Sequence, residues 1–282
     1  MQQERRTYML GYIGGRWAEK RKRLQREACE WWMSKNHEVI VLDPTFTEEE
    51  FYEFMPRTVN RIGMSDFSHI CRARNFALQH AIKSHTDYDS FHNKLIVLAD
   101  NDGGLRDMSD YEVSTDELID AVYSTDCDIV QPKQPFGFIK QFFDDDKSGM
   151  AKTHLCLTNQ NTFKGTVLFV RAGIDVQYDE WFDQPYETHA LTPGEDFDFC
   201  VRAKMNGYKV RFAENLVQYE YGSSSNSTWC PDSNRKLKVK PWVVRNNMQN
   251  ISAWNKKYNT KYGRKEYIKL KSTVDLFENM FD

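Results

Sequence analysis

Two carboxylates one residue apart, Asp100 and Asp102, follow directly on the apolar run Leu95–Ala99, and Gly103-Gly104 comes next. Oxygen ligands paired at the C-terminal end of a strand suit a hard divalent cation, which in turn neutralises diphosphate oxygens. That edge is also where ligands bind in open α/β sheets. The plainer alternative is an acidic turn closing a strand, because Asp, Asn and Gly are the common turn residues. A second acidic group, Glu195, Asp196 and Asp198, follows Pro193-Gly194. Acids in the first turn of a helix complement its dipole, and the same carboxylates can take a proton from an attacking hydroxyl. A third candidate is Arg72-Ala73-Arg74-Asn75, where a guanidinium can grip a diphosphate, although solvated helix arginines are commoner.

Other chemistries fit less well. Asp-Asn-Asp-Gly opens like an EF-hand loop, but the twelfth position, which must supply a bidentate acid, is Tyr111. No GxxxxGK[ST] and no GxGxxG occurs, which disfavours NTPase and dehydrogenase readings. Cys29, Cys71, Cys127, Cys156, Cys200 and Cys230 show no CxxC or zinc spacing and read as reduced, mostly buried thiols.

These groups need elements to hold them. Thr7–Ile13 reads as a strand running into Gly14-Gly15, residues 17–35 as a helix with Leu24, Ala28, Trp31 and Trp32 on one face, and His37–Leu42 as a second strand closed by Asp43-Pro44. Ser68–Lys83 is expected as a helix and Leu95–Ala99 as a buried strand. Thr115–Tyr123 is a helix capped by Ser114 or Thr115, followed by strands at Asp128–Gln131, Thr153–Leu157 and Gly165–Arg171. Asp196–Met205 reads as a helix ending at Asn206-Gly207, with a strand at Tyr208–Phe212. This alternation predicts an α/β, doubly wound, mostly parallel sheet.

A chain of 282 residues is long enough for one large domain or a domain with an extension. The formal charge of −3 conceals segregation: residues 235–271 carry twelve basic residues against Glu266 alone, +11, leaving −14 elsewhere. A smaller basic group, Arg16, Lys20, Arg21, Lys22, Arg23 and Arg26, lies near the start. Such asymmetry points to an anionic partner. Residues 223–282 are therefore read as a basic helical extension and residues 1–222 as the α/β domain that precedes it. Apolar runs are far shorter than the ~20 residues of a membrane span. With no apolar stretch behind the first charges, the expected location is cytoplasmic.

In combination and order, the βαβ start, the helix Ala73–Ala81 (ARNFALQHA), the strand ending in Asp100-Asn101-Asp102, the strand Gly165–Gly173 (GTVLFVRAG) and Gly194–Phe212 (GEDFDFCVRAKMNGYKVRF) resemble a GT-A glycosyltransferase. Within that group the chain is similar to the family-2-like, inverting enzymes over residues 7–222. The pairing of Asp-x-Asp with Glu-Asp 95 residues later is the specific part. The resemblance implies a GT-A fold, a nucleotide-sugar donor such as a UDP-sugar, and Mn²⁺ or Mg²⁺ held by Asp100 and Asp102. It implies donor contacts from Ile13, Gly14, Asp43, Arg74, Asn75, Asp100, Asn101, Gly165 and Thr166, with Asp196 as catalytic base and Glu195 orienting the acceptor. Two features depart from the family pattern. No His follows His189, which leaves Glu220 or a water to complete the metal, and the first strand ends Gly-Tyr-Ile-Gly-Gly instead of Pro-x-Tyr-Asn.

Aromatics interleave the basic extension, and cations with aromatic faces suit phosphates and unstacked bases. Lys256, Lys257, Lys261, Lys265 and Trp254 are the acceptor candidates. The chain in this respect resembles phage enzymes that glycosylate hydroxymethylated cytosine in double-stranded DNA, with hydroxymethylated or already glucosylated cytosine as acceptor and the host cytoplasm as the setting. Three readings compete: a transferase building a lipid-linked or surface polysaccharide, for which basic and aromatic residues would meet a membrane surface; a nucleotidyltransferase; and a non-catalytic nucleic-acid-binding protein.

Overall fold

Strands β1 (Arg5–Leu10), β2 (His37–Asp43) and β4 (Leu95–Ala99) are almost wholly buried along their length, as strands covered on both faces must be. The computed structural model describes residues 5–11, 18–84, 94–105, 114–133, 154–158, 166–184, 194–220 and 251–263. Strand order is β3-β2-β1-β4-β8-β6-β9-β5, with β7 also on β9. Here β3 is Asn60–Gly63, β5 Gly103–Leu105, β6 Ile129–Lys133, β7 Leu157–Thr158, β8 Val167–Arg171 and β9 Val210–Glu220. Neighbours from β3 to β4 run parallel, β8 runs antiparallel to β4 and β6, and β6 runs parallel to β9. β5 and β7 each run antiparallel to β9; six of the nine strands thus point the same way, a mostly parallel sheet as expected.

Alternate residues of each central strand face opposite layers. Tyr8, Ile40, Leu42, Ile96, Leu98 and Leu168 pack with Ala73, Ala77, Leu78 and Ala81 of α3 (Ile70–Lys83). On the other face Met9, Val39, Val41, Val97 and Phe169 pack with Ala28 and Trp32 of α1 (Ala18–Ser34) and with Leu118, Ile119 and Val122 of α4 (Thr115–Tyr123). Ser114, not Thr115, caps α4, in a capping box with Glu117. The helix after Gly194, α5, is Glu195–Met205, and Gly207 takes the left-handed conformation (φ 83°) that ends it. Two elements escape a periodicity reading, α2 (Glu48–Phe54) and β3, each too short to show a pattern. β9 runs eight residues beyond Phe212, and β7 shares only Leu157 with the strand expected at 153–157. Among the described residues no helix is long and apolar enough to cross a membrane.

His37 opens β2 inside this core. Its Nδ1 lies 2.8 Å from Thr7 Oγ1, its ring packs against Trp32 at 4.8 Å, and Nε2 has no hydrogen-bond partner among the described residues. Burial, helped by the Arg5 charge, pushes its pKa down from 6.5 to about 3. The folded protein therefore keeps His37 neutral where the unfolded chain takes up a proton. The contribution is intact above pH 6.5 and is lost at roughly 1.4 kcal/mol per pH unit as pH falls toward 3. Urea midpoints of wild type and His37→Gln at pH 7.5 and 5 measure this. The variant is expected to lose less stability on acidification than wild type; parallel profiles would contradict the assignment.

Candidate active site

β4 delivers Asp100 to the C-terminal edge of the sheet, and the turn after it is tied on three sides. Asp100 N donates to Thr166 O at 2.9 Å, Gly103 N donates to Asp100 O at 3.0 Å, and the buried Trp32 indole donates to Gly103 O at 2.9 Å. A side chain at position 103 would place its Cβ 2.5 Å from Thr166 O, so the approach of the two strands requires glycine there. β5 then pairs with β9, setting Gly103 opposite Glu220. The Asp100 side chain is 39% exposed, and Asn101 and Asp102 are half-buried. The Asp-x-Asp pair thus sits in a rigid turn with an open side.

α3 brings Arg74, 3% exposed, beneath that turn. Its Nη2 donates to Asp100 Oδ1 at 3.0 Å, and its Nη1 donates to Glu195 Oε1 at 3.3 Å and to Asp196 Oδ1. The guanidinium also lies over the Tyr178 ring at 5.2 Å. One buried cation therefore joins the end of β4 to the start of α5. Desolvating a guanidinium costs several kcal/mol unless opposite charges and hydrogen bonds surround it; the Asp100 and Asp196 carboxylates and a Glu195 oxygen meet that need here. Glu195 has the opposite difficulty: burial first, then the adjacent Asp196 charge, raise its pKa to about 8 against the pull of Arg74.

Residues distant in sequence aim Arg74. The start of α3 has no side-chain cap of its own. Asp183 supplies one, accepting from Cys71 N at 2.9 Å and Arg72 N at 3.1 Å. Asn75 brackets the Tyr178 backbone, donating to its O at 2.9 Å and accepting from its N at 2.6 Å. Tyr178 stacks on Phe199 of α5 at 4.1 Å. Asp183 and Tyr178 are absent from the sequence reading; a cap 112 positions away leaves no local signature.

The structure thus brings together Arg74, Asp100, Glu195 and Asp196, with Asn101 and Asp102 in the adjoining turn and Thr166, just before β8, bonded to it. Asp43, at the same edge on β2, is 1% exposed. It accepts from Arg61 Nε at 2.8 Å and Thr45 N at 3.0 Å, closing the turn after its strand. Asn75 spends its amide on Tyr178, which leaves it a scaffold role where a donor contact was expected. Trp254 is 2% exposed against Phe197 and Val201, and Lys257 ion-pairs with Asp179 and Asp198; both are taken up by packing, while Lys256 and Lys261 are exposed. Ile13, Gly14, Gly165 and Lys265 lie outside the described residues. Among the described residues no cluster of three or more His, Cys, Asp or Glu forms a metal cage. Two carboxylates at an open edge nonetheless fit a hard cation that draws its remaining oxygens from a bound phosphate and water.

Neither a protein-family model nor a curated protein sequence matches the chain. Solved structures do. A mannosyltransferase from Pyrobaculum calidifontis, in complex with GDP-Man and Mn²⁺, superposes with a TM-score of 0.51 at 15% identity, over 92% of this chain and 65% of its own. S. aureus TarS 1-349 (TM-score 0.43, 12% identity) is covered over 80% of its length, and GalNAc-T7 with UDP, GalNAc and Mn²⁺ (TM-score 0.48, 10% identity) over 46%. The chain thus spans just under two thirds of the mannosyltransferase. That likeness establishes the architecture: this is the GT-A arrangement of an α/β, mostly parallel sheet.

Proposed function

We propose that the chain is a metal-dependent glycosyltransferase that moves a sugar from a nucleotide-sugar, a UDP-sugar in the first instance, to an acceptor hydroxyl. The observation that carries this reading is the convergence of Asp100, from the Asp-x-Asp turn, with Glu195 and Asp196 on one buried guanidinium at the ligand-binding edge of the sheet. Asp100 and Asp102 would hold Mn²⁺ or Mg²⁺, which, when bound, neutralises charge on the departing diphosphate. Asp196 accepts the proton of the acceptor hydroxyl as its oxygen bonds to the anomeric carbon and the bond to the nucleoside diphosphate breaks. Glu195, held by Arg74 and by the Gly194 N–H, orients the acceptor. Arg74 keeps the two halves of the site in register, and attack opposite the leaving group inverts the anomeric centre.

For the acceptor we propose hydroxymethylated or already glucosylated cytosine in phage DNA, supported by the +11 charge of residues 235–271 and the exposed Lys256 and Lys261. Residues 223–282 would serve that acceptor and residues 1–222 the donor and the chemistry.

Incubation with Mn²⁺, a panel of UDP- and GDP-sugars, and in turn hydroxymethylcytosine DNA, glucosylated DNA and a lipid-linked glycan tests both levels. A sugar mass on the modified nucleoside is expected. Transfer only to the lipid-linked glycan would refute the DNA acceptor, and no transfer or nucleotide release with any pair would refute the enzyme. Asp100→Asn and Asp102→Asn should each abolish Mn²⁺-dependent transfer with the fold intact by circular dichroism; near-normal turnover would remove the metal assignment. Asp196→Asn should lose roughly 10²–10⁴-fold in transfer rate while still binding donor in calorimetry. A rate within a few-fold of wild type would place the base elsewhere.

A further inference from the structure

α5 starts with three acids and no side-chain cap, since Gly194 stands at its N-cap with φ 110°. At about 100° of helical turn per residue, Asp196 and Asp198 point to nearly opposite sides. Asp196 meets Arg74. Asp198, whose side chain is 0% exposed, accepts from Arg202 Nε at 2.7 Å, from Lys257 Nζ at 2.6 Å and from the Tyr258 hydroxyl. Its backbone N–H donates to Gly194 O at 3.0 Å and so closes the first turn of the helix.

Lys257 comes from the helical residues 251–258, beyond the end of the sheet. Its ammonium also contacts Asp179 Oδ2 at 2.8 Å and lies over the Phe182 ring at 4.4 Å and the Tyr258 ring at 5.0 Å. With the Trp181 ring at 6.0 Å, two carboxylates and three aromatic rings surround one cation, a setting in which cation–π attraction and ion pairing reinforce each other. Trp254, one turn earlier, packs on Phe197 of α5 at 4.9 Å. The Lys257 side chain is itself only 10% exposed, so this lysine is bound to the start of α5 and not presented to solvent.

We propose that Lys257 is a positioning residue: it clasps Asp198 and fixes the first turn of α5 from the side opposite Arg74, which sets the direction of the Asp196 carboxylate. The proposal rests on the reading of Asp196 as the base, so its test has one arm independent of activity. In Lys257→Met, hydrogen exchange of the amides at 194–199 should quicken at least tenfold while the central strands keep their protection. In the same variant kcat for transfer should fall on the order of tenfold to a hundredfold with donor KM within twofold, and Lys257→Arg should recover most of the loss. Unchanged exchange at 194–199 overturns the clasp, whether or not the wild type transfers sugar. Faster exchange with unchanged kcat, or a loss that appears in donor KM alone, overturns the positioning role. A wild type that transfers nothing would sink the base assignment, and the exchange arm would still decide the clasp. If Lys257→Met does not fold, Tyr258→Phe removes one hydrogen bond from Asp198 and no charge; a smaller, local rise in exchange at 194–199 is then expected, and none would overturn the clasp.

Discussion

The guanidinium of Arg74 stands between carboxylates that come from opposite ends of the chain order: Asp100 where β4 ends, Glu195 and Asp196 where α5 begins. A buried ion cluster adds little net stability over a well-packed apolar one, yet losing one partner strands the others without compensation. Its consequence here is therefore one of specification. α3 must lie where Arg74 reaches both groups, and the Asp183 cap, the Asn75 bracket on Tyr178 and the stacking of Tyr178 on Phe199 hold it there. Each of these contacts spans more than a hundred residues of sequence except the last, which joins the bracket to α5.

Around that cluster the two carboxylate groups take different environments. Asp100 and Asp102 sit in a turn with an open side, tied by backbone bonds to Thr166 and Gly103 and by the Trp32 indole from α1. Glu195 is shielded, and burial, with the neighbouring Asp196 charge, raises its pKa. Two adjacent acids in different surroundings can divide the work of proton acceptor and acceptor orientation.

Much of this was legible in the residues themselves. A buried strand running into Asp-x-Asp, a Gly followed by Glu-Asp at a helix start, and alternation of helix and strand carried the architecture, the C-terminal edge and the candidate acids. What escaped did so for physical reasons. α2 and β3 are too short for periodicity to show. The Asp183 cap and the Asn75 bracket depend on tertiary proximity. The extension shows most clearly what counting charges misses: Lys257 and Trp254 are of the right type for an acceptor surface, but their partners, Asp198 and Phe197, lie on α5. A cation's role follows from what faces it, and one-dimensional charge segregation does not record that.

The most direct test of a donor site at the Asp-x-Asp turn is anomalous diffraction at the manganese edge from crystals grown with Mn²⁺ and UDP. The expected result is one strong peak within coordinating distance of Asp100 or Asp102 carboxylate oxygens, bridged to the diphosphate, with Arg74 still bonded to Asp196. Manganese and diphosphate bound away from that turn, or absent from well-ordered crystals at saturating concentrations of both, would contradict it.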